Sequence, residues 1–171
     1  MRDLSALPKL TVALIQTSLA WHDRQANLEH FEPLLEQARG ADLIILPEMF
    51  TTGFSMESET LAEAENGPTS KWLRVQAAKL DAVITGSVIV QAADGSHRNR
   101  LLWARPDGEV LHYDKRHLFR MAREQAHFKA GTHRLIVDWK GWRICPLVCY
   151  DLRFPVWSRN RGDYEAWCSA S

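Results

Sequence analysis

The chain has 171 residues with 21 basic and 21 acidic side chains, so its formal net charge is zero. This length suits one domain with a sizeable core, and the balanced charge gives no support to nucleic acid as a partner. Its three cysteines are an odd number, which favours a reducing compartment over a disulfide framework. Met1 to Pro8 lacks the apolar core of a secretory signal, and no apolar run is long enough to span a membrane. The sequence predicts a cytoplasmic, soluble protein with one domain, residues 1–171.

The first part of the chain alternates apolar strands with helical patterns. Leu10 to Gln16 is a continuous apolar run, which predicts a buried strand. Asn27 to Arg39 has apolar residues at helical spacing. Pro33 lies within it and predicts a kink, or a helix start only a few residues upstream, because an interior proline costs about 3 kcal/mol. Asp42 to Leu46 predicts a second short buried strand.

Further on, hairpin signals replace the alternation. Thr69 to Leu80 predicts a second helix, capped by Thr69 or Ser70, and Ala82 to Val90 predicts a strand. Two hairpins follow, with turns at Pro106-Asp107-Gly108 and at Lys140-Gly141. Lys115 to Gly131 separates them and is interpreted as a long loop. This succession predicts an α/β protein with a mixed sheet.

Three polar residues directly follow apolar strand patterns: Glu48, Lys115 and Cys149. If the strands share one sheet, these residues converge at one edge, where α/β proteins bind ligands. A thiol is only a few per cent ionised at neutral pH and needs a base, which a partly buried glutamate can provide. A lysine ammonium can receive the negative charge that develops on the carbonyl oxygen of an amide under attack. Together the three types of side chain suffice for acyl transfer through a thioester.

Each residue also has an ordinary structural interpretation. Cys149 can be a small buried apolar residue, as free cysteines often are. Glu48 can be a carboxylate at a strand end or a helix cap, and Lys115 can be a solvated surface lysine. Spacing alone leaves these alternatives open.

Longer motifs surround all three residues. They are L-I-I-L-P-E-M-F-T-T-G-F from Leu43, Y-D-K-R-H-L-F from Tyr113 and C-Y-D-L-R-F-P-V-W-S-R-N-R from Cys149. In these motifs and their order, the chain resembles the nitrilase superfamily of carbon–nitrogen hydrolases, and within it the ω-amidase-type branch. The resemblance extends from about Leu10 to about Arg161. Gly162 to Glu165 still resemble the family, whereas Ala166 to Ser171 do not.

The resemblance implies a Glu-Lys-Cys triad at Glu48, Lys115 and Cys149. Glu48 would act as base and acid, Cys149 would be acylated, and Lys115 with the Tyr150 N–H would hold the oxyanion. A second glutamate supports the site in this family. Glu124 is the candidate here, although an ion pair with Arg120 or Arg123 is an alternative for it.

The family fold is an α-β-β-α sandwich, usually dimerised, without metal or organic cofactor. The resemblance therefore implies this fold, incomplete at the C-terminus of the chain, and a homodimer if the domain is complete. It also implies ω-amides of small 2-oxo dicarboxylic acids, such as 2-oxoglutaramate, as substrates. A carboxylate on the substrate needs an arginine. Three are candidates: Arg120, Arg123 and Arg153.

Two other hypotheses come from different classes. The chain can be a catalytically inactive truncated family member, or a fragment that pairs with full-length relatives, because the divergent end predicts uncovered apolar sheet faces. A metal site formed by Cys145, Cys149 and a histidine is the third hypothesis. It has little support, because the C-x3-C spacing has no second ligand pair nearby.

Overall fold

The computed structural model describes residues 4–171, with two β-sheets packed face to face and helices on the outer face of the first sheet. Met1–Asp3, which belong to the predicted domain and to the stretch predicted not to be a signal, lie outside the described residues. The first sheet contains β1 (Val12–Leu14), β2 (Leu43–Ile45), β3 (Glu63–Ala64), β4 (Val83–Gln91), β5 (His97–Ala104) and β6 (Val110–Asp114). The second contains β7 (Val137–Trp139), β8 (Trp142–Val148) and β9 (Ala166–Ala170). The helices are α1 (Arg24–Gln37), α2 (Ser58–Leu61), α3 (Pro68–Leu80) and α4 (Pro155–Ser158).

The structure has two mixed sheets, whereas the pattern of strands and helices predicts one. In the first sheet the order is β1-β2-β4-β5-β6, and β1, β2 and β4 are parallel, whereas β4, β5 and β6 form antiparallel hairpins. In the second sheet β7 and β8 form the predicted hairpin, and β9 lies parallel to β8. This arrangement of the strands brings the ends of β2, β6 and β8 together, so that Glu48, Lys115 and Cys149 meet.

Two cores separate the layers. Leu28, Phe31 and Leu35 of α1 pack with residues of α3 on one face of the first sheet. Alternate residues of β2 point the other way, and Leu43 and Ile45 pack against the second sheet. The chain therefore has the α, β and β layers of the predicted α-β-β-α sandwich. Within residues 4–171, α4 is the one α-helix that follows β8, and it has only four residues.

The start of α1 lies further upstream of Pro33 than the sequence predicts. The helix begins at Arg24, nine residues before the proline, and continues through it to Gln37. Tertiary packing explains the difference, because the buried residues Leu28, Phe31 and Leu35 lie on both sides of Pro33 and hold the helix against the sheet. The cap of α3 also differs from the prediction. Gly67 is its N-cap, and the Glu63 carboxylate accepts the Thr69 N–H at 2.8 Å.

The first strand is less buried than its composition predicts. Val12 and Leu14 are 46% and 74% exposed, although they lie on the face of the first sheet that packs against the second. β1 is an edge strand, and the three strands of the second sheet do not cover it. The C-terminal residues Ala166–Ala170, which do not resemble the family, nevertheless form β9.

One glycine allows the first sheet to approach the segment around Glu48. A Cβ atom on Gly86 of β4 would lie 2.8 Å from Leu46 Cβ and 2.9 Å from Phe50 Cδ1. Both neighbours are fully buried and flank Glu48 in the sequence. The absence of a side chain at Gly86 therefore helps to set the position of Glu48.

We predict that Gly86→Ala lowers the free energy of unfolding by about 1–3 kcal/mol, because the new methyl group overpacks the core. Urea unfolding, followed by circular dichroism, measures the change. Gln91→Ala, at the exposed end of the same strand, is the control and should leave the midpoint within error. An unchanged midpoint for Gly86→Ala would contradict the overpacking argument.

Candidate active site

Glu48 lies at the end of β2, on a segment that is bound to β4. The backbone N–H of Met49 donates to the Ser87 hydroxyl at 2.9 Å, and that of Phe50 donates to the Ser87 carbonyl at 3.1 Å. Met49 has a positive φ of 47°, so the chain turns sharply directly after the glutamate. The Glu48 side chain is 7% exposed. The carboxylate is thus held at the strand end and largely shielded from water.

Lys115 follows β6 and has a fully buried side chain. Its backbone N–H donates to the Asn99 carbonyl at 2.9 Å, which fixes it beside β5. The ammonium Nζ lies 2.7 Å from Glu48 Oε1 and 2.9 Å from Glu124 Oε2. It also lies 5.5 Å from the centre of the Phe54 ring. The predicted meeting of Glu48 and Lys115 is confirmed by these contacts.

Glu124 is the second carboxylate of the cluster, and its side chain is fully buried. Besides Lys115, it accepts the Phe119 N–H at 2.6 Å and the Asn99 amide at 2.9 Å. Arg120 and Arg123 are exposed, and within residues 4–171 neither forms an ion pair with Glu124. The alternative interpretation of Glu124 as a partner of these arginines is therefore wrong.

Cys149 begins the 3₁₀ turn Cys149–Arg153 that follows β8. Its φ of 40° lies in the left-handed region, which costs a residue with a side chain about 1–3 kcal/mol. Two hydrogen bonds hold this conformation. The Cys149 N–H donates to the Ser169 hydroxyl of β9 at 3.0 Å, and the Asp151 carboxylate accepts the Val148 N–H at 3.2 Å. The sulfur is thereby presented from a strained, well-supported turn.

Asp151 joins this turn to the loop that contains the lysine. Its fully buried carboxylate accepts the Tyr113 hydroxyl at 2.7 Å, the His117 N–H at 2.8 Å, and a contact from His117 Nδ1 at 2.9 Å. The His117 ring stacks on Phe154 with ring centres 3.8 Å apart. The two sheets are thus tied together directly behind the candidate site.

Burial and charge shift the proton affinities of the cluster. Burial raises the pKa of Glu48, and the neighbouring Lys115 only partly offsets this effect. Burial lowers the pKa of Lys115, but the two carboxylates outweigh burial and the net pKa is raised. The pKa of Cys149 is raised to about 11, first by burial and then by the charge of Glu48 and a hydrogen bond with it. At neutral pH the proton therefore resides on the sulfur, beside a carboxylate that can accept it.

A cavity of about 740 Å³ opens onto these groups. It is lined by Glu48, Phe54, Lys115, Phe119, Met121, Cys149, Tyr150, Leu152 and Arg153. Of the three candidate arginines, Arg153 lines this cavity. Arg120 lines an adjacent cavity of about 440 Å³, which shares Tyr150 with the first.

The cysteines do not form a metal site. Cys145 is fully buried in the core between the sheets, whereas Cys149 lines the cavity. Within the described residues, no group of three or more histidine, cysteine, aspartate and glutamate side chains could hold a metal ion. In the same part of the chain, no helix combines the length and the apolar character that crossing a membrane requires.

Sequence reasoning missed Asn99, whose amide donates to both Glu48 and Glu124. Its signal is a polar residue on the same face of β5 as the buried Leu101 and Trp103. Asp151 and Ser169 were also missed as supports of the cysteine. Asp151 lies within the C-Y-D motif, but nothing in the sequence indicates its partners.

Comparison with known proteins agrees with this geometry. The model of the family described as carbon-nitrogen hydrolase matches residues 11–163. The chain belongs to the carbon-nitrogen hydrolase family. Its sequence is 53% identical over 159 residues to "Omega-amidase YafV" of Escherichia coli (strain K12), covering 93% of this chain and 61% of that protein. It is 29% identical over 156 residues to "2-oxoglutaramate amidase" of Bacillus subtilis (strain 168), covering 89% of this chain and 60% of that protein.

A solved structure in this family has the same fold. It is XC1258 from Xanthomonas campestris, described as a CN-hydrolase superfamily protein with an arsenic adduct in its active site. The TM-score is 0.89 at 50% identity, over 94% of this chain and 64% of that one. The chain thus spans about three fifths of the length of the curated relatives that it matches.

We predict that Glu48→Gln lowers the pKa of the Cys149 thiol, because the Glu48 charge and hydrogen bond both raise it. The pH dependence of alkylation by iodoacetamide measures this pKa. The midpoint, about 11 in the unchanged chain, should move to lower pH. Cys149→Ser identifies the signal of this thiol, since Cys145 and Cys168 are buried. A midpoint that stays or rises would contradict the contact between the two groups.

Proposed function

We propose that the protein is an amidohydrolase that cleaves the ω-amide of a small 2-oxo dicarboxylic acid monoamide to the acid and ammonia. The observation that carries this proposal is the buried Lys115 ammonium, in contact with Glu48 and Glu124 in the cavity that holds Cys149. The similarity to an ω-amidase and a 2-oxoglutaramate amidase supports the substrate class. Because the chain spans about three fifths of these relatives, its activity is itself part of the proposal.

The first half of the reaction forms a thioester. Glu48 removes the thiol proton of Cys149 as the sulfur attacks the amide carbon, which avoids a free thiolate of high pKa. The resulting oxyanion is held by Lys115 and the Tyr150 N–H. Glu48 then gives its proton to the departing nitrogen, the carbon–nitrogen bond breaks, and ammonia leaves.

The second half releases the acid. A water molecule loses a proton to Glu48 as it attacks the thioester carbon, and the same two donors hold the second oxyanion. The carbon–sulfur bond breaks, and the proton on Glu48 returns to the sulfur. The cycle needs no group outside Glu48, Lys115, Cys149 and the Tyr150 N–H.

The hydrogen bonds of the cluster leave Lys115 able to act as an oxyanion donor. An ammonium group has three N–H donors. One binds Glu48 Oε1 at 2.7 Å, and one suffices for the Glu124 carboxylate, whose oxygens lie 2.9 Å and 3.3 Å from Nζ. Glu124 keeps the lysine charged and directed, because its buried carboxylate binds the ammonium at 2.9 Å. We therefore assign Glu124 a supporting role rather than one in proton transfer.

The substrate carboxylate is assigned to Arg153. This arginine lines the same cavity as Cys149, and within residues 4–171 its guanidinium has no carboxylate partner. A guanidinium binds a carboxylate through two parallel hydrogen bonds, which also orient the substrate. Arg120 belongs to the adjacent cavity, and Arg123 lines neither of the two cavities, so both are weaker candidates.

Three further assignments remain proposals. One domain over residues 1–171 is supported by the continuous family match to residues 11–163. A cytoplasmic location is supported by the three free cysteines. A homodimer is supported by the resemblance to the family, and light scattering at several protein concentrations tests it.

We predict that the 171-residue chain releases ammonia from 2-oxoglutaramate and that Cys149→Ala abolishes this release. The thioester cannot form without the sulfur, so the loss should exceed about 1000-fold. A coupled glutamate dehydrogenase assay measures the ammonia. Cys145→Ala is the matched control, because this buried thiol does not line the cavity. Absence of activity in the folded, unchanged chain would favour the hypothesis of an inactive or pairing fragment.

We predict that Arg153→Leu raises KM for 2-oxoglutaramate about 10- to 100-fold, since a hydrogen-bonded charge pair contributes about 1.5–3 kcal/mol. The value of kcat should change much less. A neutral amide such as butyramide provides the control, and its kcat/KM should be nearly unaffected. Arg123→Leu serves as the matched variant outside the cavity. Equal losses of kcat/KM with both substrates would show that Arg153 supports the structure of the turn and does not bind the carboxylate.

A further inference from the structure

Among the residues that the structure describes, Asn99 is the one neutral side chain that binds both Glu48 and Glu124. It lies on β5, is 1% exposed, and donates from Nδ2 to Glu48 Oε1 at 2.7 Å and to Glu124 Oε1 at 2.9 Å. The backbone carbonyl of Asn99 accepts the backbone N–H of Lys115 at 2.9 Å. One residue therefore contacts all three charged members of the site.

The other end of the Asn99 amide is unusual. Its Oδ1 atom is buried and has no hydrogen-bond partner among residues 4–171. Leaving a buried acceptor unpaired is unfavourable. The orientation of the Asn99 side chain is therefore not explained by the hydrogen bonds of its oxygen. The two carboxylates set the orientation, because each of them requires a donor and the amide nitrogen has two.

No other side chain of similar length meets this demand. An aspartate would place a third carboxylate against the first two, and a serine has one donor instead of two. Lys115 cannot replace the amide, since its contacts with Glu48 and Glu124 are already made. The site thus combines one ammonium with one neutral double donor between two carboxylates.

We propose that Asn99 is a positioning residue that holds Glu48 and Glu124 at a fixed separation and directs Glu48 toward Cys149. Asn99 and Lys115 both bind Oε1 of Glu48, and within residues 4–171 no nitrogen donor reaches Oε2. Oε2 is therefore the oxygen that receives the thiol proton. This inference rests on the proposed role of Glu48 as the base.

A pH-dependent consequence separates positioning from simple structural support. A donor to a carboxylate stabilises its charged form, so Asn99 lowers the pKa of Glu48 against the opposing effect of burial. Without Asn99 the pKa of Glu48 rises. The base acts in its ionised form, so the acidic limb of the pH profile of kcat/KM moves to higher pH.

The test compares Asn99→Ala, Asn99→Asp and a control in the neighbouring strand, using 2-oxoglutaramate. For Asn99→Ala we expect kcat to fall about 10- to 100-fold with KM nearly unchanged, and the acidic limb to rise by about one pH unit. Asn99→Asp should move the limb further, because it adds a negative charge. The control Thr85→Val removes a buried hydrogen bond from Thr85 to the Leu102 carbonyl, outside the cluster. It should lower stability and leave the limb in place.

Urea unfolding of each variant identifies those that fold, and alkylation of Cys149 provides a readout that needs no turnover. Without Asn99, Glu48 is no longer directed toward Cys149, so its charge and hydrogen bond raise the thiol pKa less, and the alkylation midpoint of Asn99→Ala should move to lower pH. An alkylation midpoint that stays or rises in a folded variant, or an unchanged acidic limb, overturns the inference. Failure of the proposed function is a separate result, recognised by a folded, unchanged chain that releases no ammonia.

Discussion

The structure depends on one buried ion cluster, in which the Lys115 ammonium lies between the carboxylates of Glu48 and Glu124. Charges this deep are stable only when each has a partner, and removing one partner of such a group typically costs about 3–5 kcal/mol. The need to pair these charges brings together the residues that follow β2 and β6 and the loop that contains Glu124. Asn99 of β5 completes the hydrogen bonding, so the edge of the first sheet is organised around the cluster.

The cysteine is attached to this edge from the other sheet. The turn that begins at Cys149 is held by Asp151, whose carboxylate binds Tyr113 and His117 on either side of Lys115. The positive φ of Cys149 is maintained by these bonds and by Ser169 of β9. A buried carboxylate thus has a structural role at Asp151 and a proposed chemical role at Glu48, and the difference follows from their partners. Asp151 is saturated with donors, whereas Glu48 retains one oxygen for the thiol.

The sequence predicts the helices and strands better than the contacts between them. Both hairpins, the strands β2 and β4, and the meeting of Glu48 with Lys115 are confirmed, because apolar periodicity and strand ends are local signals. The continuation of α1 through Pro33 and the exposure of Leu14 could not be predicted, since both depend on which face another layer covers. Asn99 was missed for a similar reason. A single polar residue in a strand indicates a buried partner but does not identify it.

The division of the site between two sheets has a consequence for the order of events in unfolding. Glu48 and Lys115 extend from the first sheet and Cys149 from the second, so neither sheet contains a reactive pair by itself. A small slip between the layers would separate sulfur from base while every strand kept its backbone ladder. Loss of the contact between Cys149 and Glu48 would then precede loss of secondary structure during denaturation. The distance between Cys149 and Glu48 therefore depends on how the two sheets pack, and a small shift between the sheets changes it more than it changes either sheet.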